Sequence, residues 1–313
     1  MSLPQSSTRA TATPGTTSTV GRGILFMVIG TFLFALFNAL AKWLAADYSP
    51  FQIVFFRGLF GLLPLAALLL WERAPPPTLI SRRPSLQVLR ASLALGGIIC
   101  FILAYRSMPL ADTLAISYAA PIIVTLLSVP LLAESVGLHR WCAVAVGFFG
   151  VLLIIQPGTA MFDPVAFWAI LGTTLHALMM LTTRWLSRFD ATVCTMAHST
   201  VIFIIGCGVA LPFVWVAPDW LDLLLFCALG IVAGSGMFCF IRAFALGPAA
   251  TIAPFEYTAL LWATALGFLI WGDLPNHLAV SGMVIVAAAG LYILRRETIR
   301  NRRERPLAAT PER

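Results

Sequence analysis

The chain is poor in charge. Asp, Glu, Lys and Arg make up only 11% of its 313 residues, while 60% are apolar. Soluble domains carry about 25% charged residues, and a mean hydropathy of +0.93 excludes an ordinary soluble protein. Paired cysteines are also missing. Cys100, Cys142, Cys194, Cys207, Cys227 and Cys239 stand singly in apolar runs, with no CxxC and no Cys/His metal spacing, so no disulfide framework, metal or cofactor is expected. The net charge of +7 comes without a basic–aromatic groove pattern, which argues against a nucleic-acid partner. Residues 1–23 are rich in Ser and Thr and lack the compact apolar core of a secretory signal. They read as a disordered cytoplasmic tail. Long polar loops are absent too, which removes the usual material of a receptor or scaffold.

What fills the chain instead is a series of apolar runs. A bilayer core of about 30 Å needs ~20 apolar residues per helical span. Ten runs qualify as helices: 24–44, 51–71, 86–106, 111–132, 139–156, 164–183, 192–214, 221–245, 250–271 and 276–294. The links between them are short and carry breakers such as Ser49-Pro50, Pro157-Gly158, Asp163-Pro164 and Gly247-Pro248. The fold class read from this is an all-α polytopic membrane protein.

The chain is also written twice. Residues 30–44, GTFLFALFNALAKWL, return at 172–186 as GTTLHALMMLTTRWL, with seven of fifteen positions identical at an offset of 142. If the spans alternate from an inner N-terminus, 17 of the 20 Lys and Arg fall on the inner side, leaving Lys42, Arg57 and Arg106 in the outer half. That asymmetry predicts both termini in the cytoplasm, in a cell inner membrane. Five spans per half is an odd number, so the second half runs opposite to the first. Arg106 and Arg242 flank corresponding spans, as do Glu134 and Asp273. The expected units are a first repeat over 24–156, an inverted repeat over 164–294 and a basic cytoplasmic tail over 295–313. An inverted repeat puts its binding site near the midplane between the halves.

Ionisable groups inside spans cost about 2.5–3.5 kcal/mol each on insertion scales, so each needs a reason. Arg57 lies about 9 Å into the second span at 1.5 Å per residue. It is either an anchor for a substrate carboxylate or phosphate or a brace to carbonyls of a neighbouring helix. Asn38 and Lys42 share a face of the first span, continued inward by Phe34. Lys42 is close enough to the surface to snorkel, which leaves Asn38 as the pocket candidate. Thr173, His176, Met180 and Thr183 follow helical spacing in the sixth span. His176 is a cavity residue or a satisfied core histidine, and His198, beside Ser199 and Thr200, poses the same choice. Ser117, Pro121, Thr125 and Ser128 form a stripe in the fourth span, with Tyr118 beside it. Pro121 frees a carbonyl that must be satisfied or line a cavity. Pro254-Phe255-Glu256-Tyr257 opens the ninth span as the counterpart break. Glu256 reads as a site for a coupling proton or a substrate ammonium, or as a structural carboxyl. The glycines Gly96-Gly97, Gly147, Gly150, Gly206, Gly208, Gly230 and Gly234 read as close helix packing. Ala233-Gly234-Ser235-Gly236 lacks the strand–turn–helix elbow of a serine hydrolase, and no enzyme is indicated.

These residues together resemble the drug/metabolite transporter superfamily in its ten-helix EamA-type branch. The resemblance covers roughly residues 22–297. It rests on Phe55-Phe56-Arg57, Ala120-Pro121, Glu134, Gly147, Gly150, Pro254-Phe255-Glu256-Tyr257, Trp262 and Gly272-Asp273. It implies two inverted bundles of five helices around a central cavity and alternating access without ATP or a covalent cofactor. Arg57, Pro121 and Glu256 resemble positions that the family uses. The chain departs from the pattern at Asp273, where the family more often has Glu, and after Glu134, where Ser-Val-Gly replaces Arg-Pro. The expected substrate site is Asn38, Arg57, Tyr118, Pro121, His176, His198, Glu256 and Tyr257, with lipid and a small-molecule substrate as partners and protons as a candidate coupling ion. Aromatic walls with one cation and one anion suit a zwitterion, which points to export of amino-acid-like compounds, amino-acid-derived metallophores included. Uptake of a vitamin or nucleotide-like metabolite such as riboflavin is the second reading, and a non-transporting scaffold the third.

Overall fold

A computed structural model describes residues 15–72, 79–120, 122–124, 138–156, 164–246 and 249–304. Pro121 and Glu134, singled out above, lie outside them. Among the described residues the α-helices of eight residues or more are α1 Gly15–Leu44, α2 Pro50–Glu72, α3 Pro84–Tyr105, α4 Leu110–Ser117, α5 Leu138–Ile155, α6 Ala166–Leu186, α7 Thr192–Gly208, α8 Trp220–Leu246, α9 Thr258–Trp271 and α10 His277–Glu304, with two four-residue helices at Leu211–Val214 and Ala249–Ile252 between them. Among the described residues there is no strand. Five stretches, Val20–Leu44, Pro50–Leu70, Pro84–Tyr105, Ala166–Thr183 and Trp220–Leu246, are long and apolar enough to cross a bilayer. Their outward faces carry large apolar side chains in the open, such as Leu25, Leu63, Leu70, Val88, Phe167 and Leu224. A water-facing surface does not tolerate so continuous an apolar belt, and lipid does.

Several boundaries differ from expectation: α7 stops at Gly208 where the seventh span was expected to reach 214, and both terminal helices run long. α1 begins at Gly15, so residues 15–23 are helical where a disordered tail was expected; α10 likewise runs to Glu304, well into the basic tail. Neither extension contains a proline, so nothing stops the helix that the apolar span has nucleated. The elements with expected breaks are broken. α4 ends at Ser117 in a turn at Tyr118 and Ala119. α9 is preceded by a 3-10 turn over Ala253–Tyr257, entered at Pro254.

The two halves of the sequence are not two separate bundles. α1 packs along α8, α6 along α3, α2 along α7 and α8, and α5 along α10, each pairing crossing from one half to the other. One apolar core joins α4, α5, α6, α9 and α10, and a second joins α1, α2, α7 and α8. Close approach depends on glycine. A Cβ on Gly30 would sit 2.8 Å from Phe240 and 3.2 Å from Cys239; one on Gly172 would sit 3.2 Å from Cys100 and 3.4 Å from Phe101. Gly30 and Gly172 are equivalent positions of the doubled stretch. Each meets a Cys-Phe pair, and those pairs lie in matching segments: Gly97, Cys100, Phe101 and Ile102 recur as Gly236, Cys239, Phe240 and Ile241 (236 − 97 = 139). Offset 139 is a better register for this region than the 136 that pairs Arg106 with Arg242. It also sets Tyr118 opposite Tyr257 and Ser117 opposite Glu256.

Polar contacts tie the helix ends. At one end, the Tyr48 hydroxyl donates to Asp222, and Gln52 exchanges two hydrogen bonds with the backbone of Val216 at 2.6 and 3.0 Å. Burial and the Asp222 carboxylate push the Tyr48 phenol up to about 12. At the other end Asp190 accepts hydrogen bonds from Ser81, from the Arg82 N–H at 2.9 Å and from Gln87 at 2.9 Å. Burial works against its charge, and these donors more than offset that, so its carboxyl lies below the ordinary range.

Candidate functional site

Arg57 is the residue whose surroundings are most unusual. α2 carries it between α1 and α7, where its guanidinium carbon lies 5.1 Å from the Phe37 ring centroid and 5.2 Å from that of Phe203. Its Nε is buried and has no hydrogen-bond partner among the described residues. The expected alternative, a brace to neighbouring carbonyls, would need those bonds. Beside Phe37, Asn38 and Phe37 line a cavity of about 40 Å³ with Ala41, Ile98, Phe101, Ile102 and Tyr105. A water needs about 10–15 Å³ of such space, so the cavity has room for a few waters or one small polar group. Phe34, on the same stripe of α1, turns away from it and stacks edge-on with Phe240 of α8 at 5.1 Å.

A second group gathers where the two interrupted elements meet. Tyr118, at the end of α4, donates its hydroxyl to the Glu256 carbonyl at 2.7 Å, and its ring lies 4.9 Å from the ring of Tyr257 at the start of α9. The Tyr257 hydroxyl packs tightly against Gly290 of α10, where no side chain would fit. Ion pairs among the described residues do not include Glu256, whose carboxyl is half-buried beside both tyrosines. The end of α4 and the α9 entry are thus joined through the Glu256 carbonyl. Nearby, the Thr258 and Thr31 hydroxyls lie 2.8 Å apart, linking α9 to α1.

The two histidines part company. His176 sits nine residues from both Phe167 and Trp185, whose side chains are 60% and 40% exposed on the outward face of α6. Nine residues are about two and a half turns, so His176 and Met180 lie on the opposite, inward side. Both side chains are exposed there. His198 is engaged locally: its Nδ1 lies 2.9 Å from the Cys194 carbonyl and 3.6 Å from the Cys194 sulfur. It sits on the Asp190 end of α7, away from the Tyr118–Tyr257 pair.

Three residues were misjudged or missed in the sequence. Lys42 does not snorkel. Its ammonium donates to Asp273 at 2.9 Å and to the Met108 carbonyl at 3.2 Å, over the Trp271 ring, with only 10% of the side chain exposed. Gly272 makes this possible: its φ of +73° reverses the chain after α9 and brings Asp273 back toward α1. Arg90, counted as an end charge, is drawn inside instead and donates to Thr183 at 2.9 Å and to Ser199, joining α3 to α6 and α7. Its position six residues past Pro84 was the available signal. Trp262 packs against Phe32 with its indole N–H buried and unpartnered among the described residues. Ser235, by contrast, lies in unbroken helix; neighbouring Gly234 packs on Pro64, so no elbow exists there.

Comparisons with known proteins agree with this architecture. Residues 21–156 match the EamA-like transporter family. The chain is 24% identical over 273 residues to the S-adenosylmethionine uptake transporter of Rickettsia prowazekii, a match covering 87% of this chain and 92% of that protein. It is 26% identical to the pseudopaline exporter of Pseudomonas aeruginosa, over 87% of this chain and 96% of the exporter. It is 25% identical to the riboflavin transporter of Rhizobium johnstonii, over 90% and 93%. A solved crystal structure superposes with a TM-score of 0.61 at 17% identity, covering 89% of this chain and 97% of the other, which marks a shared fold. An EamA-like domain over residues 21–156, continued by near-full-length similarity to proteins named as transporters, is consistent with an EamA-type transporter of the drug/metabolite transporter superfamily.

Proposed function

We propose that this protein is a secondary transporter of the inner membrane that moves a small polar metabolite with an anionic group by alternating access. The observation that carries the anionic group is Arg57: a guanidinium between two phenylalanines, with a buried N–H unpartnered among the described residues, beside a cavity lined by Asn38. A fork of N–H donors left in an apolar cleft is suited to a carboxylate or phosphate. Ten spans in two inverted repeats are supported by the helix pairings. Exchanging the first five helices with the last five maps α1–α8 onto α6–α3 and returns α5–α10 to itself. Both termini are assigned to the cytoplasm by the excess of Lys and Arg on that side. The Lys42 end is then outer and the Asp190 end inner.

Glu256, beside the Tyr118–Tyr257 pair, supplies a place for positive charge, so a zwitterion suits both groups. The two are set apart along α1. Thr258 meets Thr31, whereas Arg57 meets Phe37, six residues further on and thus about 9 Å away. This favours an extended amino-acid-like cargo over a compact amino acid, and export is the direction we assign. Uptake of a vitamin or nucleotide-like metabolite is the second reading, favoured by the adjacent tyrosine rings and by relatives named as a riboflavin transporter and an S-adenosylmethionine uptake transporter.

Counterflow in proteoliposomes with labelled amino acids, S-adenosylmethionine and riboflavin tests transport. No flux for any of them, together with unchanged metabolite profiles inside and outside cells lacking the protein, would sink the reading. The same profiles report direction.

A further inference from the structure

At the Lys42 end one cation serves two carboxylates. Lys42 pairs with Asp273, as described. Asp112, in the first turn of α4, is the third member, and the charges that act on it are those of Asp273 and Lys42. Its Oδ1 is buried and accepts no hydrogen bond among the described residues. Lys42 supplies one positive charge to two carboxylates, so the set carries one negative charge in excess when both are ionised. A carboxylate oxygen removed from water with no donor is a costly place for negative charge and an ordinary place for a proton.

The surroundings offer no substitute cation among the described residues. Arg106, at the end of α3, spends its guanidinium on the carbonyls of Ala45 and Tyr48 at 3.1 and 3.2 Å. Tyr105 is a neutral phenol of the same helix, and His277 opens α10 beyond Asp273. The described ends of α5 and α6 on this side bring no ionisable group. The three residues also straddle a boundary. Lys42 belongs to α1, most of whose buried residues lie in one core although Ala39 joins the other, whereas Asp112 and Asp273 belong to α4 and the α9–α10 turn on the side of that other core.

We infer that Asp112 holds one proton while the outer end is closed and releases it to external water when that end opens, so closing the outer mouth takes up a proton. The inference rests on the alternating-access reading above. In the closed form the set is then neutral: Lys42⁺, Asp273⁻ and Asp112 as the acid. On opening, the O–H bond of Asp112 breaks and water solvates the carboxylate that remains. Raising the pH therefore favours the open form.

The test uses the full chain in lipid vesicles, with spin labels on Trp220→Cys and Leu274→Cys, two exposed positions on opposite sides of the boundary. The accessible Cys142 and Cys227 are replaced by Ser. We expect a longer-distance population that grows as pH rises between about 5 and 8. Asp112→Asn abolishes this growth and leaves the short distance dominant, and Asp112→Glu restores the pH dependence. Asp112→Ser removes the same titration should Asp112→Asn not reach the membrane. Wild-type pH dependence in both neutral variants would overturn the inference. Lys42→Ala, which breaks the ion pair, populates the longer distance at every pH. If neither it nor the unsubstituted chain ever shows that distance, alternating access is what fails.

Discussion

Replacing Arg57 by Met separates an anchor from a brace. The variant keeps an unbranched side chain of similar reach and removes the charge. On the stability side the structure gives two opposing terms. Two arene contacts disappear, each worth about 0.5–2 kcal/mol. Against that, the cost of holding a charged residue in a span, about 2.5–3.5 kcal/mol, is relieved. No hydrogen bond from Arg57 to any described residue is lost, and Nε has no partner to leave stranded. The sum is near zero, so thermal unfolding in detergent should place the variant within about 1 kcal/mol of the parent. On the binding side, a bidentate fork loses two charge-assisted hydrogen bonds of about 1.5–3 kcal/mol each. At 1.4 kcal/mol per decade this is a fall in affinity of about 10²–10⁴-fold, read as loss of counterflow. The opposite pattern would refute the reasoning. A buried brace costs about 3–5 kcal/mol when broken, so a sharply destabilised variant that still moves cargo would show that Arg57 holds helices together.

Other substitutions test the packing and the inner tie. Gly30→Ala and Gly172→Ala should each cost about 1–3 kcal/mol through overpacking against the Cys-Phe pairs. Gly21→Ala, with nothing within 4 Å, should be neutral or stabilise by up to about 1 kcal/mol. Equal tolerance at all three positions in thermal unfolding would mean the helices are not this close. Asp190→Asn should destabilise at neutral pH. A carboxyl depressed in the folded state stabilises above its unfolded pKa and loses that contribution as pH falls through its folded value. The difference from the parent should therefore shrink below about pH 4, and a gap that persists there would contradict the role given to its charge.

Much of this protein was legible before any coordinates. Its membrane class follows from the scarcity of charge, because a bilayer admits long apolar helices and little else. Helix breaks near Tyr118 and at Pro254 follow from proline, which cannot donate its share of the backbone bonds. The doubled stretch around Gly30 and Gly172 marks two helices that approach their partners closely, because a missing side chain leaves room for the neighbour.

Tertiary structure decided which faces meet. In a soluble protein an apolar stripe says where a helix packs; here lipid and core are both apolar, and that signal is lost. Phe34 could as well have faced the cavity as α8, and nothing in its spacing chose. Lys42 looked free to reach water until Gly272 folded Asp273 back beside it. Arg90 looked like an end charge until Thr183 and Ser199 offered it partners inside. Tyr118 and Tyr257 stand 139 residues apart, and only the interlocking of the two halves brings their rings together. Local chemistry sets where each helix begins, ends and breaks, whereas the pairing of buried polar groups depends on neighbours that the chain supplies from its other half.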